Sequence, residues 1–120
     1  MALWYDTAGT GPDLVLLHGW GMNAGVWQPV LPALQQHYRV TRIELPGHGA
    51  STLLPQADLS AWAEACLAVA PLQARWLGWS LGGLLALQIA LQAPQRIQDL
   101  YLMSATPCFV QTEDWQPAMP

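Results

Sequence analysis

The sequence has no lysine, and its 120 residues carry only four arginines against eight acids, a formal net charge of −4. Without a basic face it is excluded from nucleic-acid binding and from a polybasic hold on a membrane surface. Charged residues amount to 10% of the chain, against roughly 25% in a typical soluble domain. Long hydrophobic runs are also missing. Leu84-Leu85-Ala86-Leu87 breaks at Gln88, far short of the roughly 18 apolar residues of a membrane span. The amino end, Met1 to Tyr5, lacks the basic start and apolar core of a secretory signal. Cysteine is scarce. Cys66 and Cys108 make no disulfide framework and match no zinc spacing. They read as buried free thiols in a reducing compartment, so the expected location is the cytoplasm. No metal and no cofactor is expected.

What is there is apolar: 52% of the residues. The length suits one domain, whose large surface should carry more charge than this. Either the chain packs against something, or part of it lies elsewhere. Apolar runs alternate with helical patterns. Leu3 to Tyr5 reads as a short edge strand, and Asp13 to Leu17, "DLVLL", as a buried parallel strand. Val26, Trp27, Val30, Leu31 and Leu34 share one helical face. Pro29 and Pro32 are tolerated if that helix begins near Gln28, which predicts a helix over 28–36. Tyr38 to Glu44 reads as a strand, Leu59 to Val69 as a helix capped by Asp58 or Ser60 and stopped by Pro71. Gln73 to Leu77 is a strand, Leu81 to Gln92 a helix ended by Pro94, and Ile97 to Met103 a strand. This alternation predicts an α/β fold, a mostly parallel sheet with helices on both faces. Working loops then lie beyond the carboxyl ends of the strands. Three loops occupy that edge: "HGWG" at 18–21, "LPGHGAS" at 45–51 and "GWSLGG" at 78–83.

The last of these follows a predicted strand and opens a predicted helix, the setting of a nucleophile elbow. Ser80 is expected in a strained conformation, with its Oγ standing clear at the sheet edge. Gly78 and Gly82 remove side chains that would collide, and Gly83 lets the helix approach the sheet. The blander reading is a serine cap in a glycine-lined turn. An acyl-transfer site also needs backbone N–H groups for an oxyanion. Leu81, after the nucleophile, supplies one, and the loop after the first buried strand supplies the other. Trp20 holds that place, between Gly19 and Gly21, with its indole along an acyl pocket. Simple packing is the alternative for this side chain. His18 reads as a hydrogen-bonding partner of loop backbone, and His48 as part of a structural turn in which Gly47 and Gly49 take positive φ. No chemistry is assigned to His37. Trp4, Trp62 and Trp76 read as core or rim.

"LVLLHGWG", "ELPGHGAS" and "WLGWSLGG" stand in an order and spacing that resembles the α/β-hydrolases, over about Leu14 to Trp115. "HGWGMNAGVW", Trp79 and "SATPCFVQTEDW" are most similar to the branch that cleaves the methyl ester of a carrier-bound pimeloyl chain in biotin synthesis. The resemblance implies a serine carboxylesterase with Ser80 as nucleophile and the Trp20 and Leu81 N–H groups as oxyanion donors. It also implies a substrate that is a small or carrier-protein-bound acyl ester, and an acyl carrier protein as partner through a region outside this sequence. One departure is large. The family orders its triad serine, acid, histidine, whereas only Asp99, Glu113 and Asp114 follow Ser80 as acids, and His18, His37 and His48 all precede it. The expectation is an amino-terminal part of a hydrolase core at residues 1–109, with 110–120 as the start of a lid or a disordered tail. Alternatives are lactone, peroxidase-like or carbon–carbon bond hydrolysis on the same fold, or a noncatalytic hydrolase-like binding module.

Overall fold

The computed structural model describes residues 3–51 and 58–103. Five strands form one sheet in the order β1-β3-β2-β4-β5: β1 (Tyr5–Gly9), β2 (Asp13–Leu17), β3 (Arg39–Ile43), β4 (Ala74–Trp79) and β5 (Ile97–Met103). β1 runs antiparallel to β3 and the other pairings are parallel. Three helices connect them: α1 (Leu31–Gln35), α2 (Leu59–Val69) and α3 (Leu81–Gln92).

β2 sits in the middle because its side chains suit both faces. Val15 and Leu17 join Ile43 and Trp76 under α2 and α3, where Ala63, Cys66, Leu85, Ala86 and Ile89 complete the larger core. Leu14 and Leu16 point the other way and meet Val40, Trp27 and Leu31. The alternation of a strand thus builds two cores at once, and helices cover both faces, as the sequence predicts.

Helices α2 and α3 and strand β5 match their predicted spans. The capping question at α2 resolves to Asp58, whose carboxylate accepts the Ala61 N–H at 2.7 Å. The predicted helix at 28–36 is shorter: α1 covers Leu31–Gln35, and Ala24–Trp27 form a 3₁₀ turn. An α-helix begun at Gln28 would need an N–H at residue 32 for the Gln28 carbonyl, and Pro32 has none. That carbonyl takes the Leu31 N–H at 3.4 Å instead, so the segment does not run as one helix. The edge strand lies at Tyr5–Gly9 rather than at Leu3 to Tyr5. Its residues are mostly polar, and its strand character comes from pairing, with Asp6 opposite Arg42 and Thr7 opposite Thr41. β4 extends two residues past Leu77, into the serine turn. Trp76 is fully buried, Trp62 packs against the larger core, and Trp4 lies under the Arg42 guanidinium at 5.6 Å. Among the described residues no helix is long and apolar enough to cross a membrane. Cys66 is a buried free thiol, as expected, and burial pushes its pKa up to about 12. Cys108 and the expected lid start or tail at 110–120 lie outside the described residues.

Candidate active site

The carboxyl ends of β2, β3 and β4 bring the three loops together. β4 stops at Trp79 and α3 starts at Leu81, so one residue turns the chain. Ser80 does so with φ 57° and ψ −115°, and it is the one non-glycine among the described residues with positive φ. Such backbone costs roughly 1–3 kcal/mol and persists only where surrounding structure holds it. A capping serine would have extended backbone and a side chain bonded to the first turn. Ser80 has neither: its side chain makes no cap bond to α3. Its N–H donates to Met103 O at 2.8 Å, which ties the turn to β5.

The glycines are there for space. A Cβ on Gly78 would lie 2.3 Å from Gly82 O and 2.6 Å from the α-carbon of Gly83. A Cβ on Gly82 would lie 2.3 Å from Leu17 O and 2.5 Å from His18 O, so α3 begins hard against the end of β2. Gly19 closes the contact from the other loop, since its Cβ would stand 3.4 Å from that of Ser80. One expectation is corrected here. Ser80 does not stand clear of the surface but is only 6% exposed, because the "HGWG" loop lies against it. Leu81 heads α3, where a first-turn N–H has no acceptor within the helix. Trp20 is 61% exposed. Trp20 and Leu81, with Asp58, Leu59 and Trp62, line a cavity of about 170 Å³.

Both histidines near Ser80 are committed to backbone. His18 is fully buried, and its Nε2 accepts the Leu45 N–H at 3.0 Å. Its proton therefore sits on Nδ1, which donates to Gly19 O at 2.8 Å. Burial is the main cause lowering its pKa. The nearby His48 adds to this, while the Gly19 bond and Glu44 oppose it. The Gly19 carbonyl shares a trans peptide with the Trp20 N–H, so holding the carbonyl aims the N–H the opposite way. His48 repeats the pattern: Nε2 accepts the Gly21 N–H at 3.0 Å and Nδ1 donates to Pro46 O at 3.0 Å. The structural readings of both histidines agree with these bonds, and Gly47 and Gly49 do take positive φ, 74° and 52°. His37 lies beyond α1, before β3 begins, at the opposite end of the strands. Asp99 pairs with Arg75 at 3.1 Å. Arg75 is five residues before Ser80, roughly 16 Å along an extended chain, so this acid is outside the site.

Glu44 is the residue that sequence reasoning misses. Buried at the end of β3, it accepts the Ala24 N–H on one carboxylate oxygen at 3.0 Å and the Ala50 N–H on the other at 2.8 Å. It thereby joins the 3₁₀ turn that follows the "HGWG" loop to the "LPGHGAS" loop. The one signal in the sequence is an acid at the end of an apolar strand in a chain with few charges.

The sequence profile of the α/β hydrolase fold matches residues 12–120. The pimeloyl-[acyl-carrier protein] methyl ester esterase of Aliivibrio fischeri (strain MJ11) is 46% identical over 119 residues, which are 99% of this chain and 46% of that protein. The esterase of the same name from Yersinia enterocolitica is 48% identical over 119 residues, 98% of this chain and 46% of its own. The chain thus spans about half the length of the curated relatives it matches. Among solved structures, a hydrolase from Pseudomonas aeruginosa PA01 superposes with a TM-score of 0.81 at 38% identity, over 87% of this chain and 42% of that one. The profile match takes in the strand–serine–helix turn and the loop packed against it, and the chain belongs to the α/β-hydrolase family.

Proposed function

We propose that this chain supplies the nucleophile and oxyanion side of a serine carboxylesterase. Residues 1–109 form the amino-terminal part of its core and 110–120 lead into a lid. The carrying observation is Ser80, held at φ 57° between β4 and α3 with no side-chain cap bond to the helix. In the proposed reaction Ser80 Oγ attacks the ester carbonyl. The carbonyl oxygen gains charge as the tetrahedral intermediate forms, and the Trp20 and Leu81 N–H groups receive it. Each such donor is worth about 3–4 kcal/mol of transition-state stabilisation, and the amino end of α3 adds favourable potential. The alcohol leaves with the serine's proton, and water then releases the acid.

The general base is a histidine outside these 120 residues, oriented by an acid also outside them. His18 and His48 cannot serve, because each has both ring nitrogens bonded to backbone. The proposed substrate is the methyl ester of a carrier-protein-bound pimeloyl chain, on the route to biotin, and methanol is the leaving group. This rests on the likeness to esterases of that name. The cavity beside Trp20 and Leu81 is the proposed start of the acyl path, and the acyl carrier protein docks through other parts of the protein.

The test uses the complete gene product. A serine-directed fluorophosphonate labels the wild type and not Ser80→Ala; equal labelling of both defeats the assignment. A panel of methyl esters of differing acyl length, free and carrier-bound, then reads the substrate. If the enzyme reacts with the fluorophosphonate but, unlabelled, cleaves no ester, the reading turns toward lactone or carbon–carbon chemistry.

A further inference from the structure

Trp20 has little to hold it in place. Its side chain is 61% exposed. Gly21 after it has φ 72° and nothing within 4 Å of where a Cβ would be. A glycine-flanked, solvent-exposed residue has many conformations open to it, yet an oxyanion donor works only if preorganised. The order must come from polar anchors on the two peptides that flank Trp20.

The first peptide is anchored at Gly19 O, which accepts from His18 Nδ1 at 2.8 Å and from the Met22 N–H at 3.2 Å. The second carries the Gly21 N–H, and its acceptor is His48 Nε2 at 3.0 Å. His48 reaches across 27 residues of sequence to do this. Its own ring is fixed by the bond from Nδ1 to Pro46 O and by the His18 ring, 5.3 Å away. The Trp20 indole also meets the His48 ring at 5.4 Å in an edge-to-face arrangement.

We infer that His48 is a positioning residue for the oxyanion loop: by accepting the Gly21 N–H it fixes the peptide after Trp20. His18 holds the peptide before it, which carries the Trp20 N–H, and with both ends held the residue cannot turn away. The inference rests on the esterase reading and adds to it a residue that touches no substrate.

Two substitutions separate the ring from the acceptor. His48→Gln places an amide oxygen near the Nε2 position and keeps an acceptor for Gly21. His48→Phe keeps a ring against Trp20 and removes the acceptor. In the complete gene product, His48→Phe is expected to lower kcat about ten- to a hundredfold, the scale of a small misplacement at a reacting centre, with KM within about twofold. His48→Gln is expected to recover most of that loss. In the wild type, nitrogen NMR of the imidazole should show the proton on Nδ1 of His48. The Gly21 amide should exchange slowly in wild type and His48→Gln and quickly in His48→Phe. If wild type cleaves ester and His48→Phe matches its kcat, or if both variants are equally impaired, the positioning role is overturned while the esterase reading stands. A His48 with its proton on Nε2 overturns it too, even if His48→Phe fails to fold. A wild type inert to both ester and fluorophosphonate overturns the esterase reading and this inference with it.

Discussion

Ser80 stores backbone strain, and that strain can be measured without a substrate. At φ 57° and ψ −115° glycine is relaxed and alanine is not. Ser80→Gly should therefore unfold in urea with about 1–3 kcal/mol more stability than Ser80→Ala, although neither carries a nucleophile. Equal stability of the two would mean that the turn is not strained. His18 gives a second prediction. Its folded pKa lies below the ordinary 6.5 because burial disfavours the charged ring. Below about pH 6.5 the unfolded chain takes up a proton that the folded chain refuses, so stability falls as pH drops from 6.5 toward the folded pKa. Above 6.5 both states are neutral and the contribution is constant. Unfolding titrations should show this loss in wild type and a flatter profile over that window in His18→Asn.

The segment from "HGWG" to the 3₁₀ turn and the "LPGHGAS" loop are too short to pack by themselves, so they are held as elements by side chains from β3 and the loop after it. Glu44 spans both with one carboxylate. Arg42 adds a bond to Ala24 O at 3.2 Å while its guanidinium pairs with Asp6 on β1. Glu44→Gln replaces one acceptor oxygen with an NH₂ group that faces a backbone N–H. The expected cost is about 1–3 kcal/mol in urea unfolding, together with faster exchange of the Ala24 or Ala50 amide. An unchanged midpoint would show that the loops are held by something else. This element was only half legible in the sequence. The turn residues Pro46, Gly47 and Gly49 have local signatures, but the carboxylate's two partners lie 20 and 6 residues away.

At the scale of the sheet, the last strand among the described residues is exposed. β5 is at the sheet edge among the described residues, and Tyr101, Leu102 and Met103 are each 44–49% exposed. Edge strands of this kind recruit other strands. The 120-residue chain expressed alone should self-associate with rising concentration in sedimentation velocity, and Leu102→Lys should weaken that association. A concentration-independent monomer would show that the edge is covered. The same chain should turn over esters at background rate, because its two site-side histidines are occupied by backbone.

The alternation of apolar runs, the lengths of α2, α3 and β5, and the strand–serine–helix turn were all set by local sequence, because periodicity, caps and glycine spacing act within a few residues. The placement of β1 and the partners of Glu44, His18 and His48 were decided only by tertiary structure. A polar edge strand has no apolar signal of its own, and a side chain's hydrogen-bond partner is whichever backbone group the fold carries to it.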